Sequence, residues 1–236
     1  MTEEDFDIDS LAAYLHLDPA QVSRLVERGK LPARRVGGAW RFAAAEIHQW
    51  LERQMGVLSG GELQHMEGVL RGPRGAQAVP TMSIADMLPL EAIAIPLDAR
   101  TRGSAITSMS ELAAKTGWLW DAGKMAEAVR AREDMLPTAL ENGVALLHPR
   151  RPMSSILAQP FLALGRTDRG IPFGGARGVL TDLFFLILSV DDRGHLQSLA
   201  RLSRLLSDST LLDALRDAAD ANAAHEAIAE REQELA

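Results

Sequence analysis

The sequence has 236 residues, of which 47% are hydrophobic and 24% charged, and this composition is ordinary for a globular chain of one or two domains. The absence of cysteine excludes disulfides and thiolate metal sites, and the net charge of −7 argues against uniform affinity for nucleic acids. The acidic N-terminus lacks the features of a secretory signal, and the longest apolar run, 183–190, is far shorter than the ~20 residues that span a bilayer. We therefore expect a cytoplasmic protein without membrane association, cofactor or metal ion.

The first 54 residues predict three helices and a small β-hairpin. Asp18 and Pro19 supply an N-cap and a first-turn proline for the second helix, and Gly29 supplies its stop. Gly37 and Gly38 form a turn between two short strands. In chain order we expect a helix at 9–17, a helix from 18 to about 28, the hairpin within 31–42 and a helix at 43–54.

Basic side chains are concentrated in this N-terminal segment, since residues 21–53 contain seven basic residues against three acidic ones. The order of elements and the segments 11–15, 22–25, 29–32 and 36–41 resemble the winged helix-turn-helix domains of the excisionase-like and MerR-like DNA-binding families. The resemblance implies binding to duplex DNA. The second helix would present Gln21, Ser23, Arg24 and Arg28 to the major groove, and the hairpin would place Arg34, Arg35 and Arg41 against phosphates. The alternative is a small helical domain with a solvated basic face.

Gly and Pro are frequent after this segment, which predicts a linker at 57–81 that contains one short helix near 62–70. The linker would separate an N-terminal domain at 1–56 from a second domain at 82–236. In the second domain, predicted strands alternate with predicted helices, as in α/β folds. We expect strands at 92–95, 144–147, 157–163 and 181–189, helices at 104–115 and 121–132, and three helices between 195 and 234. The Gly-rich segment 174–178 is expected to be a surface hairpin between strands.

Two histidines follow apolar runs in the second domain. His148 ends the run 144–147, and His195 comes shortly after 183–190, at the expected start of a helix. Imidazole has an unperturbed pKa of about 6.5, so at neutral pH much of it is an uncharged nucleophile that can accept and return a phosphoryl group. At a helix start, backbone N–H groups would favour an anion near His195. The remaining histidines, His16, His48, His65 and His225, are expected on helical or loop surfaces without a role.

The stretch 132–148, with Thr138, Asn142 and Gly143 before a short strand and His148, resembles the active-site segment of phosphotransferase-system enzyme IIA of the fructose/mannitol and nitrogen-regulatory class. The segment 194–199 resembles the place of the second active-site histidine in the same family. The resemblance implies a mixed-sheet α/β domain in which His148 accepts phosphate from a histidine phosphocarrier protein and His195 stabilises the phosphoryl group. Thr138, Arg150 and Arg151 are further candidates for contacts with phosphate.

Three functions are compatible with these patterns. The first is a regulator, which could act as a homodimer, that couples DNA binding to phosphorylation of His148. The second is a DNA-binding protein whose second domain is a sensor or protein-docking surface that is not phosphorylated. This alternative is favoured by Glu141, Leu147, Pro149 and the loss of glycines from the loop that the family uses to contact phosphate. The third, a sugar-specific transport component, is weaker because no membrane domain is apparent.

Overall fold

A computed structural model of the chain describes residues 5–15, 17–55 and 83–235. The described residues belong to two compact units, and the boundary between the units falls between residues 79 and 80. The expected linker at 57–81, its short helix, and both His16 and His65 lie outside the described residues. Among the described residues, no helix combines the length and the apolar character required to cross a bilayer.

The described residues of the first unit form three helices and a two-stranded hairpin, in the order predicted. The elements are α1 (Ile8–Leu15), α2 (Pro19–Glu27), β1 (Arg34–Val36), β2 (Ala39–Arg41) and α3 (Ala44–Met55). The largest buried side chains come from α1, α3 and the residue after β2; they are Leu11, Phe42 and Ile47. The hairpin turns at Gly37 and Gly38, whose φ angles of 59° and 84° are easily adopted by glycine.

A short segment before α1 adds to the hairpin. Phe6 and Phe42 exchange two backbone hydrogen bonds of 2.9 Å in an antiparallel bridge. The ring of Phe6 also packs on Tyr14, with ring centroids 5.0 Å apart. The acidic residues on either side of Phe6 are therefore fixed beside the strands that carry the basic side chains.

The second unit is an α/β domain with a four-stranded mixed sheet, which confirms the predicted fold class. Its strands are β3 (Ile93–Ala94), β4 (Val144–Leu147), β5 (Phe161–Pro172) and β6 (Leu180–Leu188). Its helices are α4 (Arg102–Ala114), α5 (Ala122–Met135), α6 (Asp192–Leu205), α7 (Ser209–Asp217) and α8 (Ala221–Glu234). The strand order is β3-β5-β6-β4, in which β5 and β6 are antiparallel and the two outer pairs are parallel.

Both faces of this sheet are buried. Because side chains alternate along a strand, Phe161, Ala163 and Phe184 lie on one face, where they form a core with α4 and α5. Leu162 and Phe185 belong to the opposite face and are also fully buried, and α6 contacts β6. Burial on both faces explains why the strands read as nearly continuous apolar runs in the sequence.

Strand β5 extends further along the chain than we predicted from the sequence. We expected a strand at 157–163, whereas β5 runs from Phe161 to Pro172. Residues 166–170, for which we predicted no strand, belong to β5, and the register with β6 shifts between Arg166 and Ile171. The expected hairpin at 174–178 is the connection between the antiparallel β5 and β6, and it contains a short 3-10 turn at Ala176–Gly178.

Candidate functional site

His148 directly follows β4 and is buried, with 2% of its surface exposed. Its Nδ1 lies 2.8 Å from the carbonyl oxygen of Leu146. Because a carbonyl can only accept a hydrogen bond, Nδ1 carries the proton. In the neutral imidazole the lone pair is then on Nε2, which is the nitrogen able to act as a nucleophile.

His195 lies beside His148. The two ring centroids are 5.0 Å apart and the rings are tilted by 48°. The sheet accounts for this proximity, because β4 and β6 are parallel neighbours with Leu147 opposite Leu186, so the residues after both strands emerge at the same edge. His195 is 6% exposed. The meeting of residues 148 and 195 in one site follows from this topology.

The helix that carries His195 begins earlier than expected. We predicted its start at His195, whereas α6 begins at Asp192 because the side chain of Asp191 caps it by accepting a hydrogen bond from the Gly194 N–H. The backbone N–H of His195 donates to the carbonyl of Asp191 at 3.1 Å. This N–H is therefore part of the helix, and the side chain rather than the backbone of His195 faces His148.

The segment before β4 folds back along that strand. Ala139 and Ala145 form an antiparallel bridge, and the Leu140 N–H donates to the carbonyl of Val144 at 2.8 Å. Within this segment, Thr138 is held by Glu133. The Thr138 hydroxyl donates to one carboxylate oxygen and the Thr138 backbone N–H donates to the other at 3.1 Å. Thr138 thus holds the loop in place through the end of α5.

Glu133 is a buried carboxylate, with 1% of its surface exposed. Burial raises its pKa above the ordinary value, although the two hydrogen bonds from Thr138 and the charge of Arg102 act in the opposite direction. Arg102 Nη2 lies 3.9 Å from the Glu133 carboxylate. The carboxylate therefore ties α4, α5 and the loop before β4 together.

Arg132 is a functional candidate that we did not predict from the sequence. It lies in the last turn of α5, is 5% exposed, and donates from Nη1 to the carbonyl of Leu136 at 2.8 Å. If the register of Ala139 with Ala145 is continued, Leu136 comes opposite His148. The buried guanidinium thus contacts the chain at the end of α5, where the loop before β4 begins. The signal was a basic residue at the end of a predicted helix. Arg150 and Arg151, by contrast, are exposed.

The other end of β4 is fixed by Arg216 of α7. Its guanidinium donates to both carboxylate oxygens of Asp182, at 2.8 and 3.1 Å, and to the carbonyl of Asn142 at 2.6 Å. The Asp182 carboxylate accepts this hydrogen bond and so raises the pKa of Arg216. Gly143 lies beside these groups and has a φ of +84°. The start of β4 is therefore tied to both β6 and α7.

The side chains of α2 that we predicted to contact DNA differ in their exposure and in their hydrogen bonds. Gln21, Arg24 and Arg28 are exposed, whereas Ser23 is half-buried. The Gln21 Oε1 accepts from the Asp18 N–H at 2.9 Å, and the Ser23 hydroxyl donates to the carbonyl of Pro19 at 3.0 Å. Gln21 and Ser23 thus stabilise the helix in this conformation. The exposed Arg24 also donates from Nε to the carbonyl of Ala20 at 3.1 Å.

The three hairpin arginines lie on two faces. Arg34 is paired with Arg41, and Arg35 with Trp40, across the two strands. Because side chains alternate, Arg35 faces away from the side that carries Arg34 and Arg41. Its guanidinium stacks on the Trp40 ring, 4.6 Å from the centroid.

The repulsion between the two arginines that share a face is offset by acidic residues from the N-terminal segment. Asp5 forms an ion pair with Arg34, and Asp7 lies 3.9 Å from Arg41. The hydrogen bond that Arg34 donates to the Asp5 carboxylate raises the pKa of Arg34. These acidic residues form part of the predicted DNA-binding surface.

Comparisons with known proteins agree with this geometry. Residues 86–231 match the family described as phosphoenolpyruvate-dependent sugar phosphotransferase system, EIIA 2, and residues 6–55 match a helix-turn-helix domain. A nitrogen regulatory protein of Bradyrhizobium diazoefficiens is 36% identical over 152 residues, which are 63% of this chain and 95% of that protein.

Solved structures of low sequence identity share the fold. The nitrogen regulatory protein IIA-Ntr from Neisseria meningitidis aligns with a TM-score of 0.55 at 22% identity, over 61% of this chain and 98% of that chain. The mannitol IIA of Escherichia coli aligns with a TM-score of 0.53 at 21% identity, over 59% of this chain and 97% of that chain.

Proposed function

Because this chain belongs to the EIIA 2 family of the phosphotransferase system and carries a helix-turn-helix domain, we propose that it is a cytoplasmic transcription regulator phosphorylated on His148. The proposed donor is a histidine phosphocarrier protein, and the proposed target of the first domain is duplex DNA. The proposed domain limits are 1–56 for DNA binding and 82–236 for phosphotransfer, joined by a linker at 57–81.

The observation that supports phosphotransfer best is the position of the His148 imidazole. Its Nδ1 is held by the Leu146 carbonyl, and the His195 ring is 5.0 Å away. The Nε2 lone pair of His148 attacks the phosphorus of the donor phosphohistidine. A new N–P bond forms while the donor N–P bond breaks, and the electron pair of that bond returns to the donor imidazole. Phosphorylated His148 gains positive charge on its ring, which the Leu146 carbonyl stabilises.

The remaining groups of the site act on the phosphoryl oxygens. His195 donates a hydrogen bond to one oxygen, and Arg132 contributes positive charge from the end of α5, since transfer depends mainly on positioning and on stabilising the equatorial oxygens. Thr138 shapes the loop through its bonds to Glu133. Arg150 and Arg151 are exposed, and we propose that they meet the donor protein or its phosphate at the rim of the site.

A phosphotransfer assay tests the proposal. The full chain is incubated with radiolabelled phosphoenolpyruvate and purified general phosphotransferase enzymes, and the label on the protein is measured after acid and after base treatment. We expect base-stable, acid-labile label that is lost in His148→Ala. His225→Gln is the matched control, because His225 is a histidine of the same domain whose Nε2 contacts the carbonyl of Ala85 at 3.1 Å.

Two results would count against phosphorylation of His148. Equal labelling of wild type and His148→Ala would assign the phosphate to another residue. Absence of label in the wild type, with donors that label another IIA protein in the same reaction, would instead favour a sensor or docking domain that is not phosphorylated. Neither result depends on the outcome of DNA-binding measurements.

A further inference from the structure

We propose that Ser189 is a positioning residue that fixes the tautomer of His195. Ser189 is the first residue after β6 and is 3% exposed, and its hydroxyl oxygen lies 3.4 Å from Nδ1 of His195. The inference rests on the proposed phosphotransfer site and adds to it the group that prepares His195 for its role.

A neutral imidazole has one donor nitrogen and one acceptor nitrogen. Phosphoryl oxygens only accept hydrogen bonds, so the nitrogen that His195 presents to them must carry a proton. Ser189 occupies the Nδ1 side of the ring, and the opposite side of the ring carries Nε2. His195 therefore needs its proton on Nε2 and a lone pair on Nδ1.

The hydroxyl of Ser189 meets this requirement when it donates a hydrogen bond to the Nδ1 lone pair, and this donating role is the one that we assign to it. The Leu146 carbonyl beside His148 cannot donate and so imposes the opposite tautomer, with the proton on Nδ1. The two neighbouring strands thus end in different hydrogen-bonding groups. One group makes His148 the nucleophile, and the other makes His195 a donor.

The roles of Ser189 and His195 do not change which bonds form and break during the transfer. Nε2 of His148 forms the N–P bond as the N–P bond of the donor breaks, and the proton on Nε2 of His195 stays on its nitrogen. Ser189 neither gains nor loses a proton. Its effect on the rate comes through the fraction of His195 in the tautomer that can donate to the phosphoryl group.

Two variants and one control test the inference in the full chain. Ser189→Ala removes the hydroxyl, and Ser189→Thr retains it. Ser198→Ala is the control, because Ser198 is a buried serine of the same helix as His195 whose hydroxyl contacts the sulfur of Met87 at 3.7 Å. The tautomer of His195 is measured by long-range ¹H–¹⁵N NMR of the imidazole rings at neutral pH, with His195→Gln used to assign the signals.

We expect the wild type and Ser189→Thr to have the proton of His195 on Nε2, and Ser189→Ala to have a larger fraction on Nδ1. The single-turnover rate of transfer to His148 should fall about 2- to 10-fold in Ser189→Ala, the range expected for one ordinary hydrogen bond. It should recover in Ser189→Thr and remain at the wild-type value in Ser198→Ala.

An unchanged His195 tautomer in Ser189→Ala would overturn the inference, as would a loss of rate in Ser198→Ala equal to that in Ser189→Ala. The NMR measurement needs no phosphate. If the wild type accepts no phosphate but the tautomer responds to Ser189, the proposed function fails and the structural role of Ser189 stands.

Discussion

Glu133 illustrates how one buried charge supports the loop beside the histidines. Its carboxylate accepts two hydrogen bonds from Thr138 while it is almost entirely excluded from solvent. Desolvation disfavours the ionised form, and the raised pKa shows that the hydrogen bonds and Arg102 do not fully compensate for it. The residue therefore couples the geometry of the loop to pH.

We predict that Glu133→Gln changes the pH dependence of stability. The folded-state pKa of Glu133 lies above that of the unfolded chain, so its stabilising contribution is complete below the unfolded pKa of about 4.3. This contribution is lost as pH rises through the raised folded-state pKa. Urea denaturation across this range should show the stability of the wild type falling relative to Glu133→Gln. Glu127→Gln, at an exposed position of the same helix, should change this trend little.

Arg132 is predicted to act on phosphotransfer more than on stability. Arg132→Gln removes the positive charge that we assign to the phosphoryl site, and hydrogen bonds to charged groups contribute about 1.5–3 kcal/mol. The transfer rate should therefore fall by at least about tenfold. Arg130→Gln is the control on the same helix, where the exposed Arg130 contacts Thr107 at 3.4 Å. Equal rates for the two variants would remove Arg132 from the proposed site.

At the scale of elements, the start of β4 depends on a residue without a side chain. A Cβ on Gly143 would lie 2.8 Å from Nη2 of Arg216 and 3.3 Å from the carbonyl oxygen of Leu180. The backbone there also has a φ of +84°, which L-residues rarely adopt. The close approach of β4, β6 and α7 consequently needs glycine at this position.

We predict that Gly143→Ala destabilises the second domain by more than about 1–2 kcal/mol, the cost of the left-handed conformation alone. Gly103→Ala is the matched control, because Gly103 lies in α4 and a methyl group added there would have no neighbouring atom within 4 Å. That change should be neutral or stabilising by up to about 1 kcal/mol. Chemical denaturation measures both. Similar stabilities for the two variants would contradict the role assigned to Gly143.

Elements with strong local signals could be predicted from the sequence, and elements set by tertiary contacts could not. Asp18 with Pro19 marked α2 because capping acts within one turn of chain. The polar end of β5 was missed because its residues are paired with β6, and that pairing overrides the local preference for a loop. His148 and His195 were identified from apolar runs and family resemblance. Arg132 was not, since its burial and its hydrogen bond to the Leu136 carbonyl arise only in the folded chain.

At the scale of the whole molecule, an acidic chain contains a segment, residues 21–53, in which basic side chains outnumber acidic ones. We predict that Arg34→Ala and Arg35→Ala each weaken binding of the full chain to all duplex sequences. The slope of the logarithm of the affinity against the logarithm of the salt concentration should fall by about one unit for each lost phosphate contact. Arg24→Ala should in addition relax sequence preference. Arg169→Ala, an exposed arginine of the second domain, is the control. Fluorescence anisotropy with mixed-sequence duplexes over a range of salt measures these effects.

Phosphorylation of His148 is predicted to change DNA affinity. The added phosphoryl group carries about −1.5 to −2 charges at neutral pH, partly offset by the positive charge on the imidazole ring. Direct repulsion is screened beyond about 8 Å at physiological ionic strength. A large change would therefore require contact between the domains or an altered oligomer. Titrations of operator DNA with unmodified protein, phosphorylated protein and His148→Ala measure the coupling. Identical affinities for all three would show that the domains act independently.

The antiparallel connection between β5 and β6 has a consequence for how the site could be divided. Arg177 and Gly178 are exposed at its tip and both have positive φ angles. Opposite this tip, the carboxyl end of β6 leads to Ser189 and His195, whereas His148 precedes β5. A cut at the tip would give two polypeptides that each contain one histidine of the pair, so recovery of phosphate uptake on mixing them would report their reassembly.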